Sequence, residues 1–201
     1  MNSRFDSRTK DTFKRDIKFG TMLENYWWNK WLEQKTTRNF RIENPRDNGC
    51  GNDGEFIASG NTAGADFMAD VHYDFRNRSD LPIEMKWVPT AGKFTLKEND
   101  LKAYIREGAA ILFIYNTVRC GMDLRKPKDH DLDKHLVRIE AKLNAKEVNW
   151  GLMWPDKVEE FYIWAKDQRL IKPIYYMGNK PGVVMVQNEF DSWFIQEKWN
   201  V

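Results

Sequence analysis

The chain has 201 residues, of which 41% are hydrophobic and 31% charged, and its net charge is +2. This composition predicts one globular domain, excludes a disordered chain, and neither requires nor excludes a nucleic-acid partner. Cys50 and Cys120 lack the paired spacing typical of a zinc or iron–sulfur site, and the longest apolar run, 109–115, is too short to cross a bilayer. Because the first residues form no apolar leader, we expect a cytoplasmic protein that does not enter membranes.

The first predicted element is a helix from about residue 16 to residue 34. Its apolar residues recur every four positions, at Phe19, Leu23, Trp27 and Trp31. This stripe predicts one buried face, with Glu24 at its side. A short extended stretch at 39–43 follows. Residues 46–64 are rich in Gly, Asn and Asp, which predicts a loop, interrupted by a brief strand at 55–58.

Two strands joined by a turn are predicted next. Residues 66–75 alternate between apolar and polar side chains, which is typical of a strand with one buried face. The apolar set is Phe67, Ala69, Val71, Tyr73 and Phe75. We expect the turn at 76–80 and the second strand at 81–88, where Pro89 ends it.

A helix and a fully buried strand complete the first half of the chain. Thr95 is placed to N-cap a helix that runs to about Glu107, and Gly108 is placed to end it. The apolar run 109–115 then predicts a strand covered on both faces, so the chain is expected to form a mixed α/β sheet. The remaining predicted elements are helices at 131–147 and 156–168 and a hairpin with strands at 174–177 and 183–186.

Three charged side chains on the predicted hairpin suggest a catalytic site. Glu84 and Lys86 lie two residues apart on one strand, so they project from the same face. With a turn at 76–80, Asp70 is expected to join them from the partner strand. Asp66 shares the face of Asp70 and is the alternative, although it would lie about 13 Å further along the strand. Two acids and a lysine at one place suit a site that holds a divalent cation and cleaves a phosphodiester.

The order of these elements resembles the PD-(D/E)xK nuclease superfamily, which includes restriction endonucleases, Holliday-junction resolvases and lambda-type exonucleases. The matching features are a helix with Glu24, strands with Asp70 and with Glu84-Met85-Lys86, a helix, and a buried strand. The resemblance covers about residues 16–116 and lacks a literal Pro-Asp. It implies an α/β fold with a restriction-endonuclease-like core, in which a mixed β-sheet is flanked by helices in the order αβββαβ. The resemblance does not extend to residues 117–201, which we expect to be a C-terminal elaboration of the same single domain that carries substrate selection or a homodimer surface.

The resemblance also implies an activity, that of a metal-dependent nuclease acting on DNA, with an endonuclease favoured over an exonuclease. Asp70, Glu84 and the backbone carbonyl of Met85 would bind Mg²⁺ (or Mn²⁺), and Glu24 would hold a water or a second ion. Lys86 would orient the attacking water or stabilise charge in the transition state. The competing interpretation is a module with a nuclease-like fold that binds nucleic acid without cutting it.

Other features of the sequence have plainer interpretations. The run 129–133 has the spacing of a calcium loop, but Lys134 stands where that loop needs glycine, so an acidic first turn of a helix is favoured. The basic clusters at 4–18 and 119–128 could contact phosphates, although such runs are typical of solvated surface. The histidines are expected on a sheet face or on the surface: His72, His130 and His135.

Overall fold

A computed structural model describes residues 10–33, 40–48, 64–88, 93–116, 131–145, 147–175, 178–186, 192–193 and 195–198. The helices are α1 (Lys10–Glu33), α2 (Glu98–Glu107), α3 (Leu132–Asn144) and α4 (Pro155–Asp167). The strands are β1 (Phe40–Asp47), β2 (Phe67–Tyr73), β3 (Arg76–Val88), β4 (Lys93–Lys97), β5 (Ala110–Asn116), β6 (Val148–Met153), β7 (Lys172–Ile174), β8 (Lys180–Val186) and β9 (Ile195–Lys198). Within these residues no helix has both the length and the apolar character that a membrane crossing requires.

The described residues form a six-stranded sheet in the order β1-β2-β3-β5-β6-β9 and a three-stranded sheet in the order β4-β8-β7. Strands β1, β2 and β3 are antiparallel neighbours, whereas β5 runs parallel to β3 and is reached through β4 and α2. The mixed α/β sheet flanked by helices is therefore confirmed. Elements after residue 116 contribute to both sheets, because β6 and β9 extend the large one and β7 and β8 complete the small one.

The large sheet is covered on both faces. One face packs against α1, whose predicted apolar stripe is confirmed: Phe19, Leu23, Trp27 and Trp31 are all buried. Trp28 stacks on Phe67 of β2 with ring centroids 4.3 Å apart. The other face packs against α2, where Leu101 and Tyr104 meet Ile111 and Phe113 of β5. A central strand such as β3 consequently points alternate side chains into two different buried layers.

The turn between β2 and β3 differs from the prediction. It consists of Asp74 and Phe75, because Tyr73 pairs directly with Arg76. Asp74 adopts the left-handed backbone conformation with φ 50°, which aspartate tolerates better than most residues. Phe75, predicted on the buried face, lies fully exposed at this turn. Strand β3 therefore begins at Arg76 and occupies the segment expected to be the turn.

The start of α2 also differs from the prediction, while its end is confirmed. Thr95 does not cap the helix, because it pairs with Val184 inside β4. The helix begins at Glu98, and Lys97 is its N-cap without a side-chain capping bond. Gly108 ends the helix with φ 62°, the left-handed conformation expected of a C-terminal glycine.

The later predictions have mixed outcomes. Helices α3 and α4 lie close to the predicted segments, and β7 and β8 form the predicted hairpin. Strand β1 runs through Asn44 and Pro45, where it was expected to end, and its register shifts there. Several expectations lie outside the described residues: the strand at 55–58, Cys50, Cys120, His130 and the basic cluster at 119–128.

Gly182 of β8 lies where the small sheet leaves no room for a side chain. A Cβ atom there would lie 2.5 Å from the Leu96 carbonyl oxygen and 2.6 Å from Cδ1 of Ile174. We expect Gly182→Ala to lower the free energy of unfolding by about 1–3 kcal/mol, because backbone must shift to relieve the overlap. Urea unfolding measures this change. Gly20→Ala in α1 is the control, since a Cβ there meets no atom within 4 Å; equal stability of both variants and the native chain would contradict the described packing.

Candidate active site

Glu84 is a buried carboxylate on the central strand β3. Ile83 and Met85 point into the α1 layer, so Glu84 points to the opposite face, beneath α2, with 6% of its surface exposed. Lys86 forms an ion pair with Glu84 Oε1, and the Tyr104 hydroxyl donates a hydrogen bond of 2.8 Å to the same oxygen. These donors compensate the burial of a charged group. Lys86 and Tyr104 both donate to Oε1. Within the described residues Oε2 accepts no hydrogen bond, so this oxygen is able to bind a cation.

Asp66 lies beside Glu84 at the start of β2. The register pairs Phe67 with Ile83, so Asp66 is next to Glu84, and its Oδ2 accepts a hydrogen bond of 3.0 Å from the Met85 amide. Hydrogen bonds from two sides hold the residues just before β2 in place. Asn48 donates its amide to the Asp66 carbonyl at 3.1 Å, and the Ala65 amide donates to Glu107 of α2 at 3.3 Å. The position of Asp66 is thus fixed by β1, β3 and α2 together.

The electrostatics of Asp66 show that several charges meet at this place. Burial, with the nearby charges of Glu84 and Glu24, raises the pKa of Asp66 from 3.8 to about 7. The charge of Lys86 and the hydrogen bond from Met85 act in the opposite direction but do not cancel the increase. Glu24, half-buried on α1, is therefore close enough to influence the carboxylate on the sheet.

Lys86 and Tyr104 hold fixed protonation states in this cluster. Burial alone lowers the pKa of Lys86, but Glu84, Tyr104 and Asp66 outweigh it and raise that pKa well above the usual range. Burial likewise raises the pKa of Tyr104, and the Lys86 ammonium lies 5.8 Å from its ring centroid. Lys86 is consequently a permanent cation and Tyr104 a permanent donor at neutral pH. Tyr104 lies on the inward face of α2, where period and hydropathy do not reveal which polar group its hydroxyl meets.

The expected position of Asp70 beside Glu84 and Lys86 is wrong. Asp70 Oδ1 accepts a hydrogen bond of 2.8 Å from the Asp80 amide, and Oδ2 accepts one of 2.6 Å from Asn44. These bonds lower the pKa of Asp70. The physical reason is the tight turn at 74–75 together with the register shift between Ala69 and Val71, which pair the strands so that Asp66, the weighed alternative, lies next to Glu84. Asp70 lies four residues closer to the turn, about 13 Å away along the strand.

The other candidate residues lie away from this cluster. His72 is within hydrogen-bond distance of Asn77, at 3.0 Å, and within 3.4 Å of Glu43, as expected of a sheet-face histidine. His135, expected on the surface, is buried with its ring 5.8 Å from that of Phe19. Asp131 N-caps α3 by accepting the Lys134 amide at 3.0 Å, which confirms the acidic helix start.

The side chains present fit a magnesium or manganese ion of low protein coordination. Within the described residues, no group of three or more His, Cys, Asp and Glu side chains is arranged as a complete metal site. Two carboxylates are nevertheless adjacent, and neither Glu84 Oε2 nor Asp66 Oδ1 accepts a hydrogen bond from that part of the chain. Mg²⁺ is commonly held by one or two carboxylates and keeps several waters. A cation would also offset the burial and the carboxylate repulsion that together raise the pKa of Asp66.

Comparisons with protein-family models, with curated proteins and with solved structures found no match to this chain. The class of protein therefore has to be inferred from the order of the elements and from the cluster of Asp66, Glu84, Lys86 and Tyr104.

The raised pKa of Asp66 predicts that the stability of the fold depends on pH. Because its pKa is raised from 3.8 to about 7, the folded protein keeps a proton between those values that the unfolded chain has lost. The contribution of Asp66 to stability therefore falls as pH rises from about 4 to about 7 in metal-free buffer. Asp66→Asn removes this dependence, so we expect the variant to gain stability relative to the native chain as pH rises. Urea unfolding in EDTA at several pH values measures the difference; a constant difference would contradict the buried acidic pair.

Proposed function

We propose that this protein is a metal-dependent nuclease with a restriction-endonuclease-like core, which hydrolyses phosphodiester bonds in DNA. The observation that carries the proposal is the meeting of Asp66, Glu84 and Lys86 at adjacent strands of the mixed sheet, with Glu24 approaching from α1. In the order α1, β1, β2, β3, β4, α2 and β5, strand β4 belongs to the small sheet and β5 runs parallel to β3, and the elements of the large sheet support the same assignment. A partly buried lysine between two acids has a clear use in phosphoryl chemistry, where charge accumulates on oxygen.

Asp66 takes the ligand role that the resemblance suggested for Asp70. Together with Glu84 and the carbonyl of Met85, Asp66 would hold Mg²⁺ or Mn²⁺, which would polarise the phosphoryl group and lower the pKa of a bound water. Lys86 orients the attacking water or stabilises negative charge on the phosphoryl oxygens. Tyr104 is a positioning residue, because its hydrogen bond fixes the Glu84 carboxylate. Glu24 adds negative charge suited to a second ion or a bound water.

The competing function is a module that binds nucleic acid without cutting it. A surface that only binds phosphates gains from cations and loses from buried carboxylates that face the same groups. The adjacent acids Asp66 and Glu84 are therefore better explained by cation binding and catalysis than by binding alone.

A nicking assay on supercoiled plasmid tests the proposal. We expect cutting in Mg²⁺ or Mn²⁺ and none in EDTA. Linear DNA labelled at either end distinguishes internal cuts from removal of terminal nucleotides. Protein with Lys86→Ala, purified in parallel, controls for contaminating nucleases. Binding of DNA without cutting of single-stranded DNA, double-stranded DNA or RNA in either metal would reject the nuclease and support the binding module.

A further inference from the structure

The small sheet β4-β8-β7 has an unusual charge composition. Its three strands contain four lysines, Lys93, Lys97, Lys172 and Lys180, and no aspartate or glutamate. The whole hairpin segment 171–187 also lacks acidic residues. The complete chain is nearly balanced, with 32 basic and 30 acidic side chains, so this sheet is a local concentration of positive charge.

Three of these lysines lie on the same face of the small sheet. Lys97 and Lys172 pair with Gly182 from opposite sides, and Lys180 lies two residues before Gly182 on β8. The alternation of side chains places them opposite the buried residues Phe94, Leu96 and Val183, on the face that also carries the buried Ile174 and the exposed Val184. We call this surface the lysine face (Lys97, Lys172 and Lys180). The Cα atoms of Lys97 and Lys172 are about 10 Å apart, two strand spacings across the sheet.

The charge of this face is largely uncompensated. Lys97 pairs with Asp100 at 3.4 Å, but Lys172 and Lys180 are exposed and form no ion pair with the part of the chain that the structure describes. Tyr175, 71% exposed, directly follows β7 and adds an aromatic side chain at the end of that strand. Exposed cations and an exposed aromatic ring on one hairpin suit a nucleic-acid strand, whose phosphates pair with lysine and whose bases stack on rings.

The lysine face is also connected to the candidate active site. Lys97 is the N-cap of α2, and Tyr104, which contacts Glu84, lies seven residues further along the chain. That separation corresponds to about 10 Å along a helix. A polyanion that follows the lysine face could therefore extend to the site through the same helix layer.

We propose that the lysine face binds the phosphate backbone of the nucleic acid that the candidate site cuts. The identity of the polyanion rests on the proposed nuclease function, whereas the positive surface itself does not. The charge composition favours a polyanion, and DNA supplies one phosphate about every 3.4 Å of each strand. An acidic lipid surface is the alternative that the experiment has to distinguish.

The test compares Lys172→Gln/Lys180→Gln with Lys134→Gln/Arg138→Gln, a matched loss of two charges on α3. Helix α3 packs in the α1 layer, on the other side of the large sheet from the α2 layer that the small sheet joins. Binding to fluorescent duplex DNA is measured by anisotropy in EDTA over a range of salt concentrations. The lysine-face variant should lose about tenfold or more in affinity near 0.1 M salt, and its salt slope should fall by about 2. The α3 variant should match the native chain.

Cutting assays separate this proposal from the proposed function. If both hold, the lysine-face variant cuts long DNA more slowly but hydrolyses a small phosphodiester such as bis(p-nitrophenyl) phosphate at the native rate. If the native protein never cuts DNA but the lysine-face variant shows the reduced salt slope, the lysine face is supported and the nuclease is rejected. Native DNA affinity and salt slope in the lysine-face variant would overturn the lysine face, even if cutting persists. Loss of binding to phosphatidylserine vesicles with unchanged DNA binding would overturn it as well.

Discussion

Replacing Lys86 by alanine is expected to reduce metal-dependent DNA cutting by on the order of 10³-fold or more, with DNA binding little changed. Lys86 is held as a cation by Glu84 and Asp66, and about a third of its side chain is exposed, so it can reach a bound phosphate. The loss should appear mainly in the rate of the chemical step, because the charge is needed most where negative charge develops. Single-turnover cutting of a labelled duplex measures this rate.

The controls for Lys86 separate catalysis from folding. Alanine leaves the buried Glu84 without its cation, which destabilises the fold. Lys86→Met keeps the aliphatic stem, and Lys157→Ala removes a lysine that pairs with Glu160 on α4, away from the cluster. We expect Lys86→Met to be as inactive as Lys86→Ala and Lys157→Ala to be active. Native cutting rates in a folded Lys86→Met protein would contradict the role of the ammonium group.

The second large effect is a contrast between two aspartates on the same strand. Asp66→Asn is expected to abolish cutting in Mg²⁺, because an amide is a weaker ligand than a carboxylate and only Asp66 lies beside Glu84. Asp70→Asn is expected to cut at close to the native rate, since Asp70 instead accepts bonds from Asp80 and Asn44. Nicking rates of both variants over a range of Mg²⁺ concentrations provide the measurement.

This pair of variants is matched in chemistry, since each exchanges one carboxylate for an amide on β2. Thermal melting checks that both variants are folded. The reverse result, with Asp70→Asn inactive and Asp66→Asn active, would restore the sequence-based assignment and reject the register described here. Native activity in both variants would remove both of these aspartates from the site.

The large elements were predictable because their hydrophobic patterns are simple. A period of four placed the buried face of α1, with Leu23, Trp27 and Trp31, and an unbroken apolar run placed β5. The alternation in β2 correctly placed Phe67, Ala69 and Val71 in the core. Each pattern reflects which faces of the element are buried, and the sequence records that directly.

The position of Asp70 was not predictable in this way, because alternation fixes the face of a residue but not its partner across the sheet. Asp66 and Asp70 have the same parity, so the turn had to decide between them. The polar run 76–80 resembles a turn, yet Asp74 turns the chain earlier by adopting a positive φ. The same limit applies to Thr95, whose capping chemistry was overridden by pairing with Val184 in the small sheet.

Tertiary contacts also explain the remaining differences from the sequence-based expectations. The hydroxyl of Tyr104 and the burial of His135 depend on neighbours distant in the chain, Glu84 on β3 and Phe19 on α1. Glu24 was a candidate because of its place beside the α1 stripe, and its influence on Asp66 agrees with that placement. The sequence pattern identifies such candidate residues, whereas the fold determines which of their side chains lie close together.

The central claim is that Asp66 and Glu84 together can hold a divalent ion. Electron paramagnetic resonance of Mn²⁺, at about pH 8 where Asp66 is ionised, measures this directly in the presence of phosphorothioate DNA that resists cutting. We predict one bound Mn²⁺ in the native protein and in Asp70→Asn, and its loss in Asp66→Asn and in Glu84→Gln. Undiminished Mn²⁺ binding in both site variants, or no binding by the native protein, would contradict the account.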